Sequence, residues 1–176
     1  GDLGQNAFYR TVEAQFFPCD PVSIRDKAEA WEGSPRCHQS QESGEVTVAL
    51  VGDSYAEHLF PGLAQALPVE NVAYYIRTNE LAVPSSSPEM AEILDHVYQS
   101  SSIHTVIFSN EWMSSGVPVE ELSTTVLNLR ESGKHVVLTN GSPKAPFPPD
   151  NCKVSPYIYG PRVCDFPLEP IDVSQD

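Results

Sequence analysis

A continuous apolar run at residues 46–51, rich in β-branched side chains, opens the most regular part of the chain. Such a run is typical of a strand that is buried on both faces, as in a parallel sheet. The run stops at Gly52-Asp53-Ser54, and residues 55–67 then carry apolar side chains at helical spacing. The pattern therefore predicts a buried strand, a tight turn and a helix that begins beside Ser54.

Apolar runs and helical spacings continue to alternate as far as residue 139. Three more short runs predict strands, and two more amphipathic stretches predict helices that begin at prolines, a favoured first position. The predicted strands are residues 72–77, 104–109 and 135–139, and the predicted helices begin at Pro88 and Pro118, while Pro61 is expected to kink or shorten the first helix. Strands that alternate with helices predict one parallel sheet with right-handed crossovers between two helical layers.

The two ends of the chain lack this alternation. Residues 1–45 show no sustained period, only scattered aromatic side chains, although residues 26–31 are compatible with one or two helical turns. Prolines dominate the C-terminal part, where no helix or strand is predicted. We therefore expect one domain in three parts, namely an N-terminal arm at residues 1–45, an α/β core at 46–142 and a C-terminal tail at 143–176.

Composition narrows the range of functions. The chain has 176 residues, 40% of them hydrophobic, which is enough for one domain with a core. Its formal net charge is −14 and no basic cluster is present, which argues against nucleic-acid binding. No apolar run approaches the roughly 20 residues that cross a bilayer.

The four cysteines fall into two local pairs, Cys19/Cys37 and Cys152/Cys164. Neither pair has metal-binding spacing, and no histidine completes such a site, so we expect no metal and no cofactor. Two disulfides that close short loops explain the pairs better than four buried thiols do. Disulfides imply an oxidising, extracytoplasmic compartment.

Ser54 has two interpretations at this point. Ligands of open α/β sheets bind outside the carboxyl ends of the strands, and the first N–H groups of a helix are unpaired. A serine at that place can attack a carbonyl while neighbouring N–H groups receive the oxyanion. Asp53-Ser54 before a helix is equally an ordinary N-cap pair.

The string Val-Gly-Asp-Ser-Tyr-Ala-Glu-His-Leu at residues 51–59 resembles the Gly-Asp-Ser-x-x-x-His-Leu signature of SGNH (GDSL-like) domains fused to membrane acyltransferase-3 proteins. Those domains also carry a cysteine pair before the first strand and another after the last, and often a tryptophan at the position of Trp112. The resemblance covers about residues 15–168. It implies a three-layer α/β/α fold with a parallel flavodoxin-like sheet and disulfide-stapled N- and C-terminal extensions.

The resemblance also implies roles for single residues. Ser54 matches the nucleophile, and its backbone N–H matches one oxyanion donor. Asn110, after the third strand, stands near the family's asparagine donor, although the surrounding Gly-x-Asn-Asp is absent. The family's second glycine block has no counterpart, and Thr78-Asn79 occupies its region. The residues expected to line the cleft are Asp53, Tyr55, Thr78, Asn79 and Trp112.

The superfamily's base histidine and its aspartate form an Asp-x-x-His block near the C-terminus, and residues 1–176 contain no such block. Either it lies beyond Asp176 or the domain has lost its base. His58 follows Ser54 by four residues, about one helical turn along; we interpret it as a structural or cleft residue in preference to a base. We therefore expect little esterase activity from these residues alone, and activity once a longer segment is present.

Two functions are compatible with these observations. The first is an extracytoplasmic serine O-acyltransferase or esterase, in which Ser54 passes an acetyl or other short acyl group to or from a cell-surface glycan. The resemblance implies an acyl donor delivered by a membrane acyltransferase domain of the same polypeptide, which would tether the domain to the membrane. The second is a non-catalytic module that binds glycan or docks on that membrane domain.

Overall fold

The computed structural model describes residues 2–112 and 116–139, with backbone only for residues 2–6. Helices and strands alternate from residue 48 onward, within about two residues of the predicted bounds. In chain order the elements are α1 (Asp2–Gln15), β1 (Phe17–Pro18), α2 (Val22–Arg25), β2 (Ala30–Trp31), β3 (Ser34–Pro35), β4 (His38–Gln39), β5 (Val48–Gly52), α3 (Ser54–Ala66), β6 (Val72–Ile76), a 3-10 turn (Pro84–Ser86), α4 (Pro88–Gln99), β7 (Thr105–Ser109), α5 (Val119–Glu131) and β8 (His135–Leu138).

The main sheet confirms the predicted parallel arrangement. Its strand order is β1-β4-β6-β5-β7-β8, and the four strands β6, β5, β7 and β8 run parallel. Val48 at the start of β5 lies opposite Val72 of β6 and Thr105 of β7, so the three strands end at the same edge. β5 and β6 are buried along their whole length because helices cover both faces.

Two apolar clusters hold the layers together, one on each face of the sheet. On one face, α1 and α3 pack against the sheet through Val12, Ala56 and Phe60. On the other face, α4 contributes four buried apolar side chains, Met90, Ile93, Leu94 and Val97, and Leu129 of α5 joins them. α3 continues through Pro61 and is not shortened, because the buried Phe60 and its neighbours hold that turn on the sheet.

The N-terminal part is more regular than the sequence indicated. α1 is a helix of 14 residues, and the short strands β1 and β4 extend the sheet antiparallel to its parallel part. The helical turns expected at residues 26–31 are wrong, since α2 ends at Arg25 and Ala30–Trp31 pairs with Ser34–Pro35 as an antiparallel ribbon. β1, β4 and this ribbon are two residues long, too short for an alternating pattern to show.

The predicted disulfide Cys19–Cys37 is present, with 5.4 Å between its Cα atoms and both cysteines fully buried. Closing a loop of this length contributes about 3 kcal/mol in the chain-entropy account. The bond ties the strand region after α1 to the segment that leads into β4. The predicted Cys152–Cys164 pair and the C-terminal tail lie outside the described residues.

The turn between β5 and α3 depends on the absence of a side chain at Gly52. A Cβ atom there would lie 1.9 Å from the carbonyl oxygen of Ser109 at the end of β7. The chain is held in this position from both sides, since Asp53 N–H donates to Ser109 O at 3.3 Å and Arg77 N–H donates to Gly52 O at 3.0 Å. The end of β5 is therefore packed directly against its two neighbours.

We expect Gly52→Ala to lower the free energy of unfolding by about 1–3 kcal/mol, because the new methyl group meets backbone that cannot move without separating β5 from β7. Gly62→Ala is the matched control. No atom lies within 4 Å of a Cβ at that helical position, so the control should raise stability by about 0.4–1 kcal/mol. Urea denaturation of both variants measures the difference. Equal stability of Gly52→Ala and wild type would contradict the packing argument.

Candidate active site

Ser54 is the first residue of α3 and lies, half-exposed, at the carboxyl edge of the sheet. The next N–H groups of the helix all have acceptors in Asp53. Tyr55 N–H donates to Asp53 Oδ1 at 2.9 Å, and the N–H groups of Ala56 and Glu57 donate to Asp53 O at 3.0 and 3.3 Å. Within the part of the chain that the structure describes, neither the hydroxyl nor the N–H of Ser54 has a hydrogen-bond partner.

Asp53 is a buried N-cap whose two carboxylate oxygens are both occupied. Oδ1 accepts from Tyr55, and Oδ2 accepts from the N–H of Glu111, at 2.8 Å, just beyond β7. Asp53 thus joins the start of α3 to the segment after β7 and stabilises the turn between β5 and α3. Tyr55, expected in the cleft, is half-exposed at the second position of the helix.

The loop after β6 brings Thr78 and Asn79 to the same edge of the sheet. Asn79 has φ +60°, a left-handed conformation that asparagine tolerates better than most side chains. Its N–H has no acceptor among residues 2–112 and 116–139. Asn79 therefore adopts a glycine-like backbone where the family pattern has its second glycine block.

Asn110 is buried and its side chain braces this loop from below. Its Nδ2 donates to Glu80 O at 2.8 Å, and its Oδ1 accepts from Ala82 N–H at 3.3 Å. The second N–H of this amide has no acceptor among the described residues, so it is available to a ligand. An oxyanion role for Asn110 stays a prediction. Trp112 packs against the core beside α4 and donates from Nε1 to Thr139 O at 2.7 Å, which ties the segment after β7 to the end of β8.

A cavity of about 280 Å³ opens beside Ser54, between α3 and the N-terminal extension. His58 lies at its exposed margin, where its ring meets that of Phe8 edge-to-face with 5.2 Å between centroids. The lining residues are Phe8, Tyr9, Glu29, Trp31, Arg36, Ser54, Glu57, His58 and Thr78. Residues before β4 thus supply five of these nine side chains, a contribution that the sequence patterns did not predict.

A buried ion pair forms the floor of this cavity. The guanidinium of Arg36 contacts both carboxylate oxygens of Glu57, with 2.6 Å from Nη2 to Oε2, and the two side chains are 4% and 1% exposed. Arg36 Nη1 also lies 3.1 Å from Oε2 of Glu29. Tyr9 completes the cluster by donating from its hydroxyl to Glu57 Oε2 at 3.0 Å.

These contacts shift the ionisation of the cluster. Burial together with the Glu57 carboxylate raises the pKa of Tyr9 to about 12, so the phenol stays a donor at neutral pH. Burial alone would raise the pKa of Glu29, but hydrogen bonds from Thr78 and the charge of Arg36 lower it overall. Burial opposes the charge of Arg36, yet the bond to Glu57 keeps its pKa above the ordinary value. The shifts of Glu29 and Arg36 therefore favour their charged forms, and that of Tyr9 favours its neutral phenol.

The contacts of His38 and His104 indicate structural roles away from the cavity. His38 is buried against Tyr74, with 2.9 Å between Nδ1 and the phenol oxygen, and burial lowers its pKa. His104 pairs at the surface with Glu70 at 3.2 Å. In the described ranges no other histidine shares the cavity with Ser54 and His58. There, too, no group of three His, Cys, Asp or Glu side chains could hold a metal ion, and no helix is long and apolar enough to cross a membrane.

Comparison with known families agrees with this arrangement of strand, turn and serine. Residues 19–175 match the family described as the SGNH domain (fused to AT3 domains). No curated protein and no solved structure matches the chain. The family match covers most of the sequence and confirms both the resemblance noted in residues 51–59 and the α/β fold. The chain belongs to the SGNH domain family whose members are fused to AT3 domains, and it is a hydrolase- or acyltransferase-like module.

Proposed function

We propose that this domain is an extracytoplasmic serine O-acyltransferase or esterase that moves a short acyl group, in the first instance acetyl, to or from a cell-surface carbohydrate. The observation that carries the proposal is the unpaired hydroxyl and N–H of Ser54 at the start of α3. A hydroxyl beside an unpaired N–H at the positive end of a helix is what acyl transfer requires of a nucleophile and its oxyanion donor.

The reaction has two halves. Ser54 Oγ attacks the acyl carbonyl carbon, and the oxyanion is received by the N–H groups of Ser54 and Asn79, with Asn110 as a further candidate donor. Collapse expels the donor's leaving group and leaves an acyl-Ser54 ester. A sugar hydroxyl or water then attacks that ester and releases Ser54. Each attack needs a base, because an unassisted serine hydroxyl is a weak nucleophile.

The cavity beside Ser54 suits a carbohydrate acceptor. Aromatic rings from Phe8, Tyr9 and Trp31 form one wall, and hydroxyl and charged groups from Thr78 and Arg36 lie at its base. Sugar rings offer apolar C–H faces for such aromatic surfaces and hydroxyls for the polar groups. The acyl donor would be delivered by a membrane acyltransferase domain of the same polypeptide, as fusion with AT3 domains suggests. That fusion and the disulfide Cys19–Cys37 support an extracytoplasmic site tethered to the membrane.

One observation favours a second function, a non-catalytic module that binds glycan or docks on the membrane acyltransferase domain. Residues 1–176 contain no Asp-x-x-His block, and His58 is the histidine that shares the cavity with Ser54. A domain without a base would still offer the aromatic cavity to a ligand. The two functions differ in whether Ser54 becomes acylated.

We expect p-nitrophenyl acetate to acetylate Ser54 selectively, because the proposed oxyanion donors lower the barrier at that hydroxyl. Without a base the acetylation is slow, so it is followed as a single labelling event and not as turnover. Peptide mapping by mass spectrometry locates the acetyl group. Ser54→Ala should abolish this modification and change the free energy of unfolding by less than about 0.5 kcal/mol, because Asp53 and not Ser54 caps α3. Ser101→Ala, at an exposed turn on the opposite edge of the sheet, is the control and should leave the labelling of Ser54 unchanged.

His58→Ala separates the two roles of the histidine in the same assay. Acetylation that falls by about 100-fold or more would identify His58 as the base, since general-base assistance contributes on that order. Acetylation that changes less than threefold would leave the histidine as a cleft residue. Acetyl groups spread over surface serines and lysines without preference for Ser54 would contradict the enzymatic function and favour the binding module.

We expect Trp31 to contact bound carbohydrate, so that its fluorescence changes on binding and its loss weakens binding. The chain has two tryptophans, and Trp112 is engaged away from the cavity. Methyl glycosides of glucose, galactose and rhamnose at millimolar concentration should change the fluorescence of a Trp112→Phe variant saturably, whereas a Trp31→Phe variant should show no change. Trp31→Ala should weaken binding about fivefold, the equivalent of about 1 kcal/mol of aromatic contact. Equal responses from both Phe variants would place the sugar elsewhere.

A further inference from the structure

The guanidinium of Arg36 joins three separate parts of the chain around the cavity. It binds Glu57 on α3 through Nε and Nη2, with contacts of 2.6 to 3.2 Å. It contacts Glu29, in the segment before β2, at 3.1 Å, and it donates from Nη1 to the hydroxyl of Thr78 in the loop after β6. A planar group with several fixed donors can hold such a set in one geometry, which a flexible ammonium group cannot.

The backbone of Arg36 is itself immobilised. Its N–H donates to Glu29 O at 2.7 Å, and its carbonyl accepts from Ile76 N–H, the last residue of β6, at 3.2 Å. Glu29 N–H in turn donates to Ile76 O at 2.9 Å. The next residue, Cys37, is fixed by its disulfide to Cys19. The side chain of Arg36 therefore extends from a rigid base.

Both elements that Arg36 holds carry a proposed oxyanion donor. Glu57 lies three residues after Ser54, on the same face of the first turns of α3. Thr78 immediately precedes Asn79, and the Glu29 carboxylate fixes Thr78 a second time by accepting its N–H at 2.7 Å. One chain of contacts between the segments of Ser54 and Asn79 thus passes through the guanidinium of Arg36, in addition to the backbone bond from Arg77 N–H to Gly52 O.

We propose that Arg36 is a positioning residue for acyl transfer at Ser54: it fixes the loop of Thr78 and Asn79 relative to the start of α3. The inference rests on the proposed function. Arg36 does not contact the reacting atoms. It affects the reaction by holding the N–H groups of Ser54 and Asn79 in positions from which both can reach the oxyanion. Misplacing catalytic groups by about 1 Å can lower a rate by about 100-fold, so a small displacement of this loop is sufficient.

Two variants separate positioning from folding. Arg36→Lys keeps the charge but loses the forked geometry. The double variant Arg36→Met with Glu57→Met replaces both partners of the buried pair by apolar side chains of similar size, an exchange that commonly preserves folding. Lys27→Met is the matched control, since Lys27 belongs to the same extension and pairs with a carboxylate, Glu92, at 2.8 Å on the exposed surface.

Two readouts are measured on folded variants. Amide hydrogen exchange at Thr78 should be at least tenfold faster in the double variant and unchanged in Lys27→Met. Acetylation of Ser54 by p-nitrophenyl acetate, followed over a range of ester concentrations, should show a maximal rate about 100-fold lower in the double variant and about tenfold lower in Arg36→Lys. The half-saturating ester concentration should change less than threefold. Arg36 positions the N–H groups that stabilise the transition state and does not take part in binding the ester.

Unchanged exchange at Thr78 in either folded variant would overturn the proposal. Faster exchange with a maximal acetylation rate within threefold of wild type would overturn it as well, since Arg36 would then be structural only. A wild-type protein that does not acetylate Ser54 overturns the proposed function instead, and the exchange rates then decide by themselves whether Arg36 holds the loop. If the double variant does not fold, Arg36→Lys decides both readouts.

Discussion

The close approach of Gly52 to the carbonyl of Ser109 is the constraint on which the site depends. β5 ends so close to the Ser109 carbonyl of β7 that no Cβ atom fits at Gly52, and α3 begins two residues later, at Ser54. Asp53 then lies where its backbone carbonyl and carboxylate collect the N–H groups of the first helical turn. Ser54 is left at the rim, and its N–H has no acceptor in the part of the chain that the structure describes. The exposure of the proposed nucleophile is thus a consequence of the packed, hydrogen-bonded turn beneath it.

The second determinant is a buried ion pair that links the N-terminal extension to the α/β core. Arg36 and Glu57 are both almost completely removed from water, which costs several kcal/mol for each ion before their attraction is counted. A well-packed apolar pair would hold the same two elements together at least as firmly. What the ion pair adds is directional hydrogen bonding, since Tyr9 donates to Glu57 while Arg36 donates to Glu29 and to the hydroxyl of Thr78. The cluster therefore contributes more to the relative orientation of these elements than to the free energy of folding.

The sequence predicted the core well and the extension poorly, for identifiable physical reasons. Residues 46–51 and the helix after Ser54 carry strong, local periodicity, and the structure has them within two residues of the predicted bounds. α1 contacts the core through Phe8 and Val12, and Phe16 directly after the helix continues this narrow stripe at intervals of four among polar neighbours. That spacing was the available signal for the helix, but it is too sparse to stand out from scattered aromatics.

Long-range partnerships were beyond the reach of pattern reasoning. Arg36 and Glu57 are 21 residues apart and belong to different elements, so no local period relates them. Asn79 could have been noticed, because asparagine is among the few side chains that accept a left-handed backbone in place of glycine. Asn110 was identified from its place after the third strand, yet the bonds of its amide to Glu80 and Ala82 depend on a loop whose path the sequence did not indicate.

The parts of acyl transfer differ in how much structure they require. Oxyanion donors must be fixed before the substrate arrives. In the proposed reaction these donors are the N–H groups of Ser54 and Asn79, whose segments are held by Gly52, Asp53 and the Arg36 cluster. A base is a single side chain that needs only hydrogen-bond reach of the hydroxyl. Ser54 is half-exposed at the carboxyl edge of the sheet, and His58 lines the same cavity one helical turn further along α3. Under the proposed function, the part of the chemistry that requires preorganisation therefore falls to this turn and the Arg36 cluster, whichever group accepts the proton.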